Sequence, residues 1–255
     1  MSNTNGNNYP AWGIDFENRV FAMDTSYAVY PMSDPDFAEL IAISDSGIIW
    51  VLSTSPDQPT GSVLYWGKGD GNWTPVGNVP GAVDLTGGAG TGAVYATEDG
   101  QIWSIDINGE GEKIDQINDL QDMDFGGGYL WAVFPLAPGG APVLQFAYTG
   151  NIPVKWQPFN GAVAPDSISA GYTGDCYGVS DFTGVYYSTN GTSTGPVGSG
   201  ANGSTLEITF KNNIYALSTN GNEQGNDVLI WVDTQGGVFE PTGVQAIQIL
   251  ATYYL

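Results

Sequence analysis

The chain has 255 residues, among them 37 glycines, 15 prolines and 13% aromatic residues, which is enough apolar surface for a sizeable core but too much turn chemistry for a helical one. Twenty-seven acidic residues against five basic ones leave a net charge of -22, and that balance opposes contact with nucleic acid or with anionic membrane surfaces. With no histidine, a single arginine (Arg19) and a single cysteine (Cys176), the chain cannot build a Ser-His-Asp triad, a histidine zinc site, an arginine clamp or an internal disulfide.

In chain order, a short unit recurs six times. It begins with Ala11-Trp12-Gly13-Ile14, followed by Val20-Phe21 and an outer Tyr30-Pro31. A second unit has an anchor at Ile43, then Ile49-Trp50-Val51-Leu52, Leu64-Tyr65 and Trp73-Thr74-Pro75. The third runs through Leu85, Val94-Tyr95-Ala96-Thr97 and Ile102-Trp103, and the fourth through Phe125, Leu130-Trp131-Ala132-Val133, Leu144-Gln145-Phe146 and Trp156-Gln157-Pro158. The fifth holds Ile168, Cys176-Tyr177-Gly178-Val179 and Val185-Tyr186. The sixth holds Ile208, Ile214-Tyr215-Ala216-Leu217, Ile230-Trp231 and Phe239-Glu240-Pro241, and a last anchor, Ile249, stands near the end.

Successive anchors are 42, 40, 43, 40 and 41 residues apart. Turn signals such as Asp99-Gly100 and Thr183-Gly184 separate the runs, and proline belongs on edge strands because it cannot donate to a ladder. Four strands at this period are the signature of a propeller blade. The expected fold is therefore all-β: one domain over residues 1–255, a six-bladed β-propeller with four-stranded antiparallel blades.

Ile249 opens a unit that stops six residues later, whereas Trp12 begins one whose first strand is missing. Without gaps, residues 11–24 match residues 93–106 through the second and third strands. The C-terminal strand is thus expected to join the N-terminal strands in one blade, closing the ring and removing two sheet edges. Residues 1–10 form a polar tail with no basic start and no apolar stretch of signal-peptide length, and no run is long enough to span a bilayer. Together with the lone thiol, these features predict a cytoplasmic protein without membrane insertion.

The second-strand aromatics Trp12, Trp50, Tyr95, Trp131, Tyr177 and Tyr215 have the surroundings of inter-blade core residues. On the first strands, Ala42, Asp84, Asp124, Ser167, Glu207 and Gln248 occupy the position expected to face the central channel. Asp84, Asp124 and Glu207 there read either as a polar, water-filled lining or as oxygen ligands for a hard cation. Asp106-Ile107-Asn108-Gly109-Glu110-Gly111-Glu112 resembles the start of a calcium loop, but the twelfth position is Ile117, and a charged hairpin turn is the better reading. Gly87-Gly88 and Gly126-Gly127-Gly128 have no helix after them and read as tight turns rather than phosphate cradles.

The succession of an outer Trp-x-Pro, an inner strand, a Gly-rich turn, Val-Tyr-Ala and Asp-Gly-x-Ile-Trp, clearest in residues 73–105, resembles the repeat of tectonin-type β-propeller lectins. The resemblance extends from Pro10 to the end of the chain. It implies a multivalent lectin whose partners are glycans or glycoconjugates, bound in several equivalent pockets between blades. Sugar binding of this kind needs aromatic faces, hydroxyls and amides, and neither cofactor nor catalyst. The expectation is therefore a protein that is not an enzyme. The turns on one face of the ring supply the candidate carbohydrate-binding residues Tyr129, Tyr172, Asp175, Trp66, Asp70, Tyr148, Asn151 and Asn190. A protein-interaction scaffold and a calcium-dependent hydrolase with a channel site are the alternatives, since fold does not fix function.

Overall fold

The computed structural model describes residues 9–53, 62–118, 120–134, 143–150, 154–158, 167–170, 176–180, 184–189, 192–196, 203–208, 214–218, 226–232 and 238–251. The chain is an all-β propeller with four-stranded antiparallel blades. Six such sheets are present among the described residues. The first contains β1 (Ala11–Ile14), β2 (Val20–Met23) and β3 (Val29–Pro31). The second contains β4 (Leu40–Ile43), β5 (Ile49–Ser53), β6 (Ser62–Gly67) and β7 (Trp73–Val79). The third contains β8 (Ala82–Gly87), β9 (Ala93–Thr97), β10 (Gln101–Ile105) and β11 (Gly111–Gln116). The fourth contains β12 (Asp122–Gly126), β13 (Tyr129–Phe134), β14 (Val143–Tyr148) and β15 (Gln157–Pro158). The fifth contains β16 (Ser167–Ala170), β17 (Cys176–Ser180), β18 (Gly184–Thr189) and β19 (Thr192–Pro196). The sixth contains β20 (Gly203–Ile208), β21 (Ile214–Ser218), β22 (Asn226–Val232) and β23 (Val238–Ala246). The last strand, β24 (Gln248–Ala251), returns to the first sheet and pairs antiparallel with β1, Trp12 opposite Leu250.

The first strands lie side by side in the order β24, β4, β8, β12, β16, β20, and β20 also touches β24. The apolar clusters fill the spaces between sheets. Trp12, Ile14 and Val20 meet Ile41, Ile43 and Val51 of the second sheet. Trp50, Leu52 and Leu64 meet Leu85, Ala93 and Tyr95 of the third. Val94 and Ile102 meet Met123, Phe125 and Leu130 of the fourth. Tyr215, Leu217 and Val228 of the sixth sheet meet Phe21, Met23 and Ile249 of the first. The second-strand aromatics Trp12, Trp50, Tyr95, Trp131 and Tyr215 are buried, as inter-sheet packing requires. The side chain of Tyr177 lies outside the described residues. Contact between sheets is tightest at Gly87, where a Cβ would stand 2.0 Å from the Ile43 carbonyl oxygen.

Polar side chains tie the first four sheets together at the repeat period. The indole N–H of Trp73 donates to Met32 O at 2.9 Å, that of Trp50 to Thr91 O at 3.1 Å, and that of Trp156 to the Asp115 carboxylate; each bond spans 41 residues. Gln248 on β24 reaches the backbone of β4 twice, accepting from Ile41 N at 3.0 Å and donating to Ile41 O at 3.2 Å.

The match between residues 11–24 and 93–106 is visible in the turns. Asp15 Oδ1 accepts the Arg19 amide at 3.0 Å where Thr97 Oγ1 accepts that of Gln101 at 3.1 Å. Asp24 Oδ1 accepts the amides of Ser26 and Ala28, and Asp106 Oδ1 accepts those of Asn108 and Glu110. The Asp106 segment is thus a hairpin turn between β10 and β11, whose carboxylate is spent on its own backbone. Val83 and Ile247, apolar residues of the inner region, are 53% and 45% exposed.

Replacing Gln248 by Ala removes both bonds to Ile41 and leaves backbone groups to find new partners, which costs about 1–3 kcal/mol. Urea denaturation should show that loss, while Ile247→Ala stays within about 0.5 kcal/mol of wild type. An unaltered midpoint for Gln248→Ala would mean that this contact does not hold the first strands together.

Candidate functional site

Of the expected sugar-binding residues, the structure describes Tyr129 and Tyr148 on the fourth sheet and Trp66 and Asp70 on the second. Tyr129 and Tyr148 face each other across β13 and β14, with ring centroids 5.7 Å apart, and Tyr148 is 52% exposed. Trp66 and Asp70 belong to the second sheet. Trp66 is half-buried against the core between the second and third sheets, with Lys68 Nζ 6.0 Å from its ring centroid. Asp70 sits in the turn after β6, where its Oδ1 accepts the Asn72 amide at 3.0 Å. Hydrogen bonds from the Asn72 side chain and backbone hold its carboxyl below the usual range. Tyr172, Asp175, Asn151 and Asn190 lie outside the described residues, as does the side chain of Glu207 on β20.

On the first strands, Asp84, Asp122 and Asp124 form an acidic group that the sequence reading had only in part, having missed Asp122. Each carboxylate accepts the amide of the residue after it: Leu85 N, Met123 N and Phe125 N, all at 2.8 Å. Asp122 Oδ2 also accepts Ile168 N at 2.7 Å, and Asp124 Oδ2 accepts Ala170 N at 2.6 Å, so both reach the backbone of β16 in the next sheet. The Thr86 hydroxyl donates to Asp124 from the previous one. Burial pushes the carboxyls of Asp84, Asp122 and Asp124 up, to about 7, about 8 and about 6 respectively. Asp84 adds repulsion at Asp122, and Asp124 adds it at both of the others. Among the described residues, no group of three or more acidic, cysteine or histidine side chains is placed to hold a metal ion.

Three cavities open around the third sheet. One of about 520 Å³ lies at the end of the sheet that carries the turn after β8, and is lined by Gly88, Ser104, Asp106, Glu110, Glu112 and, from the fourth sheet, Phe125 and Thr149. Two open at the opposite end. A cavity of about 250 Å³ is lined by Asp84, Asp122, Glu98 and Gln121. A groove of about 530 Å³ is lined by Trp103 and Tyr95, with Thr97, Glu98, Asp99 and Gln101 at its rim and Pro80 and Gly81 across from them.

The last groove joins an aromatic floor to a polar rim. Trp103 stands opposite Tyr95 in the β9–β10 ladder, on the sheet face that packs toward the second sheet. Tyr95 is buried beneath while Trp103 is half-buried. The turn from β9 to β10 bends at Gly100, whose φ of 76° suits glycine and where a Cβ would stand 2.0 Å from the Ile117 carbonyl oxygen. That turn presents Asp99, which accepts from the Thr97 hydroxyl and the Gln101 amide. These bonds hold the Asp99 carboxyl below the usual range, and so ionised at neutral pH. Sequence reasoning assigned Tyr95 to packing and Trp103 to a strand and missed the groove, although Asp99-Gly100-Gln101-Ile102-Trp103 carries most of it.

No family model matches the chain, and no curated protein matches it in sequence. Solved structures do match its fold. A gluconolactonase from Xanthomonas campestris superposes with a TM-score of 0.59 at 11% identity, over 86% of each chain. Virginiamycin B lyase from Staphylococcus aureus gives a TM-score of 0.58 at 12% identity, over 96% of this chain and 88% of the lyase. The β-propeller domain of the Trilobed protease from Pyrococcus furiosus, described as having an open velcro topology, gives 0.58 at 11% identity, over 88% of this chain and 76% of that one. The expectation that the chain is not an enzyme is corrected by these neighbours: a lactonase and a lyase share the architecture, so a propeller of this form does not set catalysis aside.

Because these three carboxyls have raised pKa values in the folded state, they favour folding while protonated; that contribution is full below about pH 4, the ordinary carboxylate value, declines as pH rises, and is gone above folded pKa values of about 6, about 7 and about 8. The chain has no histidine to titrate in that window. The melting temperature should therefore fall between pH 5.5 and 8.5, by roughly 2–4 °C per kcal/mol lost. Asp122→Asn, which keeps an acceptor for Ile168 N, should flatten the profile. A wild-type profile that is already flat would remove the acidic group from this role.

Proposed function

We propose that the six sheets form one closed ring and that the chain binds carbohydrate in the Trp103 groove. Closure is supported by the pairing of β24 with β1 and by the cyclic order in which the first strands touch. The observation that carries the binding reading is the half-buried Trp103 above buried Tyr95, at the base of a groove of about 530 Å³ rimmed by Glu98, Asp99 and Gln101. Such a volume suits a small ligand, for which pockets run to roughly 300–1,000 Å³. An indole face covers the C–H patch of a pyranose ring. A carboxylate offers about four lone-pair sites, and the two donors on Asp99 leave the rest for sugar hydroxyls.

The tectonin resemblance adds support from the sequence, since residues 73–105 include this groove. The repeat adds more: the ladders also set Trp50 opposite Trp66, Trp131 opposite Phe146 and Tyr177 opposite Tyr187. Equivalent positions in several blades favour multivalent binding, in which weak sites combine through avidity. A second reading, hydrolysis at the channel, draws on the 250 Å³ cavity, where Asp84 and Asp122 with raised pKa values lie beside Glu98.

A glycan array probed with wild type, Trp103→Ala and Trp103→Phe separates these readings. Wild type should bind a defined glycan set, Trp103→Phe should retain it, and Trp103→Ala should lose at least tenfold while Tyr148→Ala does not. Incubating the bound glycan with wild type and Asp122→Asn reads turnover. No glycan binding by wild type removes the carbohydrate reading, and wild-type turnover that Asp122→Asn abolishes favours the hydrolase.

A further inference from the structure

We infer that the ligand of the Trp103 groove is an amino sugar carrying a free ammonium group, such as a glucosamine oligomer, in preference to N-acetylated or acidic glycans. The inference rests on the carbohydrate reading and concerns what the groove selects. Its rim holds two carboxylates, Glu98 and Asp99, both exposed, and no basic residue lines it. Asp99 is ionised through its bonds from Thr97 and Gln101, two neutral donors that leave its charge uncompensated.

Arg19 pairs with Asp15 and Glu17, away from this rim. Lys113 stands opposite Trp103 in the β10–β11 ladder, but its ammonium is 3.0 Å from Gln116 Oε1, and Gln116 turns its amide toward Asp99 O. A neutral sugar hydroxyl satisfies one lone pair and leaves the charge. An ammonium on the same ring satisfies both rim carboxylates by charge-assisted bonds, while the ring's C–H face lies on Trp103 and the cation gains from the indole quadrupole. Acidic glycans meet the opposite situation: two rim carboxylates on a chain of net charge -22 repel a uronate or sulfate.

The test is calorimetric titration at about pH 6, where the sugar amine is protonated, with short glucosamine oligomers, N-acetylglucosamine oligomers of equal length and a sulfated oligosaccharide. The amine oligomer should bind about tenfold tighter than its acetylated counterpart, and the sulfated one not at all. Glu98→Gln with Asp99→Asn should close that gap, added salt should narrow it, and Trp103→Ala should abolish binding of both neutral and amine oligomers. Equal affinity for amine and acetylated oligomers, still dependent on Trp103, would overturn the amine preference and leave the carbohydrate reading intact. Amine binding that survives Trp103→Ala would be adsorption of a polycation to an acidic surface and would overturn the inference. No binding of any of the three oligomers would overturn the inference, and the glycan array then decides the carbohydrate reading.

Discussion

Gln248–Ala251, at one end of the chain, hydrogen-bond to Ala11–Ile14 at the other, and the arrangement of the sheets leans on that pairing. Without it, β1 is a bare edge, β24 has no sheet, and Ile249 leaves the cluster it shares with Phe21, Met23, Tyr215 and Leu217. Such a contact is costly to reach, because it closes a loop of nearly the whole chain before any local reward arrives. Its gain is that two sheet edges, each a template for unwanted pairing, disappear together.

Between the sheets, packing alone would permit sliding, because flat apolar faces have little directional preference. The indole donors of Trp50, Trp73 and Trp156, each reaching a partner 41 residues away, remove that freedom by fixing one blade's height against the next. On the first strands the same task falls to side chains at the inner positions. Gln248 holds the backbone of β4, while Asp122 and Asp124 hold that of β16. The carboxylates do so at a cost that an amide avoids: burial raises both pKa values, with repulsion from neighbouring carboxylates added at Asp122, so this part of the structure feels pH.

Cavities open at both ends of the third sheet. At one end its glycine-rich turn and the Asp106 hairpin border a cavity whose walls are mainly backbone and carboxylate. At the other, the short β9–β10 hairpin leaves Trp103 partly uncovered and places Glu98 between the channel-side cavity and the outer groove, lining both. At the corresponding position of the second sheet Trp66 is likewise partly buried against the core, with Lys68 Nζ 6.0 Å from its ring centroid, and in the fourth Phe146 lies against Trp131 with centroids 4.9 Å apart.

The sequence by itself determined the strand units, their period, the buried second-strand aromatics and the membership of the terminal segments in one sheet. All of these follow from local alternation and from spacing along the chain, and two-residue periodicity survives in any sheet. It also determined that Asp106 caps a hairpin, since an Asx turn needs only neighbouring residues. Only the tertiary structure decided that Asp122 joins Asp84 and Asp124 in one acidic group, and that Trp103 faces a groove. Each of these depends on the distance and tilt between sheets, quantities set by volumes packed across blades and invisible to a pattern read along one strand.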